Sequence, residues 1–383
     1  MNILFITPSL EPGKDGVGDY TLRLAGALWE KGIHVFCISL ADRYVPPKTE
    51  LDFRAPFVKS DALGILRLSA DIPWKKRILI LQAIIDDFCP DWVSLQYVPY
   101  GFDQRGLPFG LPKRLSLLRG DFQWHLMFHE LWIGEEPGYS TLQKVIGWLQ
   151  KMIVRKLASA IRGRLHTSNP TYQSRLRKAG CPAGMLPIFS NIPVASPLFS
   201  RRDVLKEAGM DPDLHQAGFG PWIFVLFGAI HPEWDAETLV GRIDYVRKKA
   251  DRPSPLFILI GRNGREVLRH RVAEECKGHG WGFLEKGELP TVLISSYLQS
   301  ADFGIATSPL SLIQKSGSVA AMLEHGLPVV VGRFEKAVEA GEGSKRLIPI
   351  DASFENNLLM AKKDVPRVGL DAVTEKFLQS LTS

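Results

Sequence analysis

The chain has 383 residues, 45% of them hydrophobic, and a formal net charge of +6, a size that exceeds a single core and fits two domains of ordinary length. The absence of any run of eighteen apolar residues excludes a spanning helix, and an N-terminus with neither a charged leader nor a cleavage site reads as cytoplasmic and not secreted. Cys37, Cys89, Cys181 and Cys276 show neither pairing nor metal spacing and are expected to be inert packing thiols.

Taken in chain order, NILFIT is an apolar run that reads as a strand. It is followed by Gly13-Lys14-Asp15-Gly16-Val17-Gly18-Asp19, a glycine loop entering a helix over residues 18–31. The G-x-x-G-x-G order departs from the dinucleotide fingerprint, and no ribose-binding acid stands at the expected distance, which disfavours a nicotinamide enzyme. VFCIS, DWVSLQYV and WHLMFH are further strands. The last of them ends on His129, where an imidazole can either serve a ligand or be a hydrogen-bonded core group; His125, inside the strand, is assigned to structure. Residues 141–161 carry helical spacing, with Leu142, Val145, Ile146, Leu149, Met152, Ile153 and Leu157 on a face expected to be core.

After Ile188 the proline-marked FSNIPVASPLFS reads as a linker. Alternation then resumes through PWIFVLFGAI, LFILIG, a short stretch at residues 282–284, FGIAT and PVVVG, before LDAVTEKFLQSLTS closes the chain as a helix. Strands alternating with helices predict an α/β protein with parallel sheets. Ligands of such sheets sit outside the carboxyl ends of the strands, so each candidate site should follow a strand.

The most informative stretch, residues 301–331, reads as strand, small-residue loop, helix, turn and strand. A helix opened by Lys315, Ser316, Gly317 and Ser318 presents unpaired backbone N–H groups, the positive end of its dipole, two hydroxyls and one full charge, all suited to a phosphate. The same residues also fit a plain helix start with Ser318 as N-cap and Gly326 as the stop before Pro328.

The run FGIAT, KSGS, HGLPVVV, together with the N-terminal MNILFITPSLEPGKDGVGDY, resembles the GT-B glycosyltransferases, in particular the retaining family 4, over nearly the whole chain. The resemblance implies two doubly wound Rossmann-like domains facing across a cleft. These would be an acceptor-side domain over residues 1–190, a donor nucleotide-binding domain over 191–365, and a final helix over 366–383 crossing back to the first. It places Gly16, Val17 and Gly18 near the donor phosphates and acceptor, and His129 beside the transferring sugar. The sequence also departs from that family. Ala229 and Trp234 stand where it has an Arg and a Lys that clamp the diphosphate, and Ile313 and Ala321 stand where it has paired glutamates. Lys315, Arg262 and Glu324 are the substitutes expected for the diphosphate and ribose contacts, and Asp19 is a candidate acceptor-side base.

The resemblance implies a hexosyltransferase that uses a nucleotide-diphosphate sugar and a glycan, lipid-linked or small-molecule acceptor, with no metal and no resident cofactor. A GT-B sugar-nucleotide epimerase or hydrolase, and a catalytically degenerate sugar-binding protein, are the alternatives. Residues 1–190 hold 24 Lys/Arg against 17 Asp/Glu and the remainder 23 against 24. The positive charge is densest at residues 105–164, which suggests a peripheral place at an anionic inner membrane face or an acceptor bearing phosphate. The patch lacks aromatic interleaving and any nucleic-acid motif, so RNA and DNA are not expected partners.

Overall fold

The computed structural model describes the chain apart from residues 47–62, 136–137, 213–219, 264–265, 309, 311–312, 314–315, 333–345 and 383. It divides into two compact units, Met1–Ile188 with Leu370–Ser383, and Phe189–Gly369. The first unit contains β1 (Asn2–Thr7), α1 (Gly16–Glu30), β2 (His34–Asp42), β3 (Gly64–Ser69), α2 (Trp74–Phe88), β4 (Trp92–Tyr97), α3 (Pro99–Phe102), α4 (Leu111–Leu115), β5 (Gln123–Phe128), α5 (Thr141–Ile161), β6 (Arg164–Thr167), α6 (Pro170–Lys178) and β7 (Gly184–Met185). The second contains α7 (Arg201–Glu207), β8 (Ile223–Ala229), α8 (Ala236–Lys249), β9 (Leu256–Asn263), α9 (Glu266–Gly278), β10 (Gly282–Gly287), α10 (Thr291–Ser300), β11 (Phe303–Ala306), α11 (Gly317–Glu324), β12 (Val329–Val331), β13 (Leu347–Pro349) and α12 (Phe354–Met360). The closing helix α13 (Gly369–Thr382) packs in the first unit, where Phe377 stacks on Phe5 of β1 at 5.8 Å.

Each unit is built on one all-parallel sheet, with strand order β3-β2-β1-β4-β5-β6-β7 in the first and β10-β9-β8-β11-β12-β13 in the second. Strands covered on both faces read as continuous apolar runs, and Ile3, Leu4, Phe5 and Ile6 of β1 are all fully buried. The strand order reverses between β1 and β4 and between β8 and β11. These switch points open crevices at the carboxyl edge of each sheet. The glycine loop follows β1, and α11 follows β11.

The predicted strands fold as strands, but β3, β6 and β7 carry no continuous apolar signal, and β13 is an apolar run of only three residues. Arg67 interrupts β3, Arg164 and His166 interrupt β6, and β7 has two residues. The first helix starts at Gly16, earlier than its apolar spacing suggests, because Asp15 caps it by accepting from Val17 N–H at 3.0 Å.

Two expectations are corrected. Helix α5 has the predicted span, closed by a Ser140–Gln143 capping box, but it buries Gly147, Gln150, Ile153, Val154, Leu157 and Ile161. Leu142, Val145 and Trp148 are exposed. The helix is rotated because Gly147 lies against the Ile133 carbonyl, where a Cβ would come within 1.9 Å, and because buried Gln150 ties down Ile133 N–H at 3.0 Å and Gly106 C=O at 3.2 Å. Cys89 is also exposed, in left-handed conformation at the end of α2, while the other three thiols are buried.

Candidate functional site

In the second unit, α11 begins at the carboxyl edge of the sheet beside the ends of β8 and β9. Its N-cap is Ser316, which accepts from Val319 N–H at 3.4 Å; this corrects the assignment of the cap to Ser318. Ser318 sits one residue inside the helix, its hydroxyl 3.0 Å from that of Ser316. The N–H groups of Gly317 and Ser318 have no hydrogen-bond partner among the described residues, as expected of a first helical turn. Gly228 faces this turn with φ +103°, and a Cβ there would stand 3.2 Å from Ser318 Cβ. Gly261, φ +106°, lies behind it against the Gly228 backbone. Thr307 closes the rim, its hydroxyl donating to Ala229 C=O at 3.2 Å and accepting from His231 N–H at 3.0 Å. The result is a backbone-walled cradle in which glycines let the strand ends approach the helix start closely, with positive helix-dipole potential.

Of the proposed substitutes, Lys315 and the side chain of Arg262 lie outside the described residues; the Arg262 backbone is at the carboxyl end of β9. Glu324 occupies the opposite end of α11 from the cradle, where its Oε1 accepts from Ser190 N–H at 2.7 Å. Trp234 is a buried core residue and Ala229 a strand-end alanine, so neither position supplies a cation.

In the first unit, Gly16, Val17 and Gly18 form the opening turn of α1 at the carboxyl edge of β1. A Cβ on Gly18 would lie 2.6 Å from the Ser9 carbonyl oxygen, so glycine lets the helix start pack on the strand end. Among the described residues nothing stands within 4 Å of a Cβ on Gly16, so none of them closes that side of the turn. The half-buried Asp19 accepts from Gly13 N–H at 2.9 Å and clamps the loop; burial raises its proton affinity and that hydrogen bond opposes the rise. Sequence reasoning misses Asp42, the fully buried residue beneath this loop. It accepts from Leu10 N–H at 3.0 Å and from Arg67 Nε at 2.8 Å, and Arg67 also pairs with Glu11. Burial pushes the Asp42 carboxyl up, but Arg67 and the Leu10 and Tyr44 amides outweigh it and hold it below the usual range. The only sequence signal is a carboxylate ending an otherwise apolar strand.

His129 follows β5 directly. Its N–H donates to Tyr97 C=O at 3.1 Å, its Nε2 is 2.8 Å from Gln96 Oε1, and Tyr20 of α1 packs edge-on against its ring at 4.9 Å. The structure thus brings His129 to the helix that carries Gly16, Val17, Gly18 and Asp19. Burial pushes the imidazole down to about 3, so it is neutral near pH 7. The carboxylates near this edge, Asp15 and Asp19, serve as cap and loop clamp.

No protein-family model and no curated protein sequence matches the chain. Solved structures do match it over its whole length. Sucrose-phosphate synthase from Thermosynechococcus elongatus is similar with a TM-score of 0.58 at 16% identity, with 95% of that chain covered. HepE from Anabaena in complex with UDP gives 0.57 at 13%, with 100% covered. UDP-GlcNAc 2-epimerase from Neisseria meningitidis bound to UDP-GlcNAc gives 0.55 at 12%, also with 100% covered. At these identities the likeness speaks for the fold, and with the two all-parallel sheets it establishes that the chain has the two-unit Rossmann-like architecture of GT-B proteins.

Proposed function

We propose that this protein is a glycosyltransferase that moves a hexose from a nucleotide-diphosphate sugar to a glycan, lipid-linked or small-molecule acceptor, with retention at the anomeric carbon. The observation that carries the reading is the cradle between Gly228, Gly261 and the start of α11, which offers a diphosphate a hydroxyl and N–H groups that have no partner among the described residues. In such a transfer the bond from the anomeric carbon to the phosphate oxygen breaks and the nucleoside diphosphate leaves with the electron pair. The acceptor oxygen bonds the same carbon and gives up its proton. The main electrostatic task is stabilising the departing diphosphate, which falls to Gly317, Ser318 and, by sequence adjacency, Lys315. Asp19 is the proposed recipient of the acceptor proton, and His129 the group beside the transferring sugar.

Titration calorimetry with UDP, GDP and ADP tests this reading, and one of them is expected to bind. Ser318→Ala should weaken that binding by ~1.5–3 kcal/mol, the scale of a hydrogen bond to a charged group, without melting α11, because Ser316 supplies the cap. If none of the three binds, the reading fails. A sugar-nucleotide 2-epimerase is the second reading, favoured by the full-length likeness to the Neisseria meningitidis enzyme. Isomerised sugar nucleotide formed without an acceptor would select it, whereas nucleotide binding with neither product would mark a degenerate binding protein.

The acceptor side has a candidate surface of its own. Leu142, Val145 and Trp148 stand exposed on α5, with exposed Phe109 and Leu117 flanking the neighbouring α4. A cavity of about 550 Å³ between the two helices is lined by Pro112, Met152, Arg155, Lys156, Ser159 and Ala160. Residues 151–190 contain eight Lys/Arg and no Asp/Glu. Apolar side chains beside a cationic rim fit an anionic lipid surface. We expect the protein to sediment with vesicles containing anionic lipid at low ionic strength and to be released by salt. Replacing Lys113, Arg155 and Lys156 together by Gln should reduce that retention without changing nucleotide affinity. Arg114 is left in place because its guanidinium lies 4.8 Å over the Trp74 ring. Equal retention by neutral vesicles, or none by either kind, would assign the patch to solvent.

A further inference from the structure

Five polar side chains on one face of the first sheet form a continuous buried chain. His129 Nε2 is 2.8 Å from Gln96 Oε1, and Gln96 Nε2 donates to Ser94 Oγ at 2.8 Å. Ser94 Oγ is 2.8 Å from His125 Nδ1, and His125 Nε2 is 3.1 Å from His166 Nδ1. All five residues are at least nine-tenths buried, so water does not compete for these bonds. The parallel register sets Ser94 opposite His125 and Gln96 opposite Met127, with His166 opposite Met127 on the other side. Phe377 of α13 covers the middle, edge-on to His125 at 5.0 Å.

The two ends of a carboxamide are not interchangeable, and this gives the chain a direction. Gln96 Oε1 can only accept, so the proton at that contact belongs to His129 Nε2. The Gln96 amide can only donate, so Ser94 Oγ accepts it and sends its own proton to His125 Nδ1. His125 then carries its proton on Nε2 and gives it to His166 Nδ1. His166 is left with a proton on Nε2, its ring lodged where a Cβ on Gly184 would fall 2.7 Å away. This last ring borders a cavity of about 540 Å³ lined also by Arg164, Cys181 and Ser380.

We infer that Gln96, Ser94, His125 and His166 act as positioning residues that lock His129 in the Nε2–H tautomer and leave Nδ1 as its one acceptor. His129 Nδ1 has no hydrogen-bond partner among the described residues. The inference rests on the proposed role of His129 beside the sugar and refines it: the imidazole holds a sugar or acceptor hydroxyl by accepting its hydrogen bond and does not hand over a proton. Met, Leu or Val at position 96 would fill the space but would leave the tautomer unset.

Nitrogen-15 correlation spectra of the imidazole-labelled full-length protein near pH 7 read the tautomer directly and need no substrate. The wild type is expected to show His129 as a single neutral tautomer with the proton on Nε2. Ser94→Ala removes the acceptor that orients the carboxamide, so the Nδ1–H form should rise to ~10% or more. Ser94→Thr should restore the single form. As a second variant, Gln96→Glu places a buried carboxylate on Nε2 and should move the His129 titration upward from its acid value. A wild-type His129 protonated on Nδ1, a tautomer unmoved by Ser94→Ala, or a titration unmoved by Gln96→Glu overturns the inference. If the tautomer is as stated but loss of His129 leaves turnover intact, the functional reading fails while the chain itself stands.

Discussion

Acidification from pH 7 to pH 5 should destabilise the first unit by on the order of 2 kcal/mol for each of His129 and His166, with buried His125 adding in the same direction. Burial is the main cause that lowers all three; the neighbouring His166, His129 and Arg164 add to it for His125, and Lys376 and Arg164 for His166. His129 is held near 3 and His166 near 4. In the unfolded chain each titrates near the ordinary histidine value of about 6.5. Between the folded and unfolded values the unfolded state binds more protons, so stability is fully present above about pH 6.5 and is lost as pH falls through that value towards 4. For His129 and His166 the size at pH 5 depends only on native values that lie below 5, which makes it insensitive to their detail. Two such groups, with His125 adding to them, are a large share of the roughly 5–15 kcal/mol by which a typical domain is stable. Urea midpoints measured from pH 7.5 to pH 5 check this. A midpoint independent of pH would mean that the histidines are protonated or solvated in the native state. His166→Gln should flatten the dependence by about one proton.

Loss of His129 should cost turnover far more than donor binding. Its ring is fixed by Gln96 and by the edge of Tyr20, next to the turn of α1 that carries Gly16 and Gly18. It lies in the first unit, whereas the diphosphate cradle is built wholly from the second. A side chain that contacts the sugar more strongly in the transition state than in the ground state lowers turnover when removed and leaves affinity nearly unchanged. His129→Ala is therefore expected to reduce the transfer rate by ~10²-fold or more, with nucleotide affinity within about twofold of wild type. His129→Gln fills most of the space and separates lost chemistry from a cavity. Parallel losses of binding and rate would make His129 a ground-state contact, and an unaffected rate would make it a structural member of the buried chain.

Local periodicity and composition carried the fold. Apolar runs such as NILFIT and LFILIG are strands because only a doubly covered parallel sheet buries every position of such a run. The glycine loop and the KSGS turn were legible as helix starts because small and capping residues have few other uses at those places. Sequence also showed that Ala229, Trp234, Ile313 and Ala321 depart from the pattern it otherwise resembles.

What it could not carry were decisions made across the fold. Charged short strands such as β3 and β6 exist because neighbours supply the ladder, not because their own residues favour it. The buried face of α5 was set by a backbone approach at Gly147 and by a buried Gln150, both of which a hydrophobic pattern counts as surface. His125 looked like an isolated core histidine. Only the pairing of β4, β5 and β6 turns it, with Ser94, Gln96 and His166, into one directed chain ending on His129. Periodicity reports which positions are apolar, while hydrogen-bond partners distant in sequence are chosen by strand order and register, and those are properties of the tertiary structure alone.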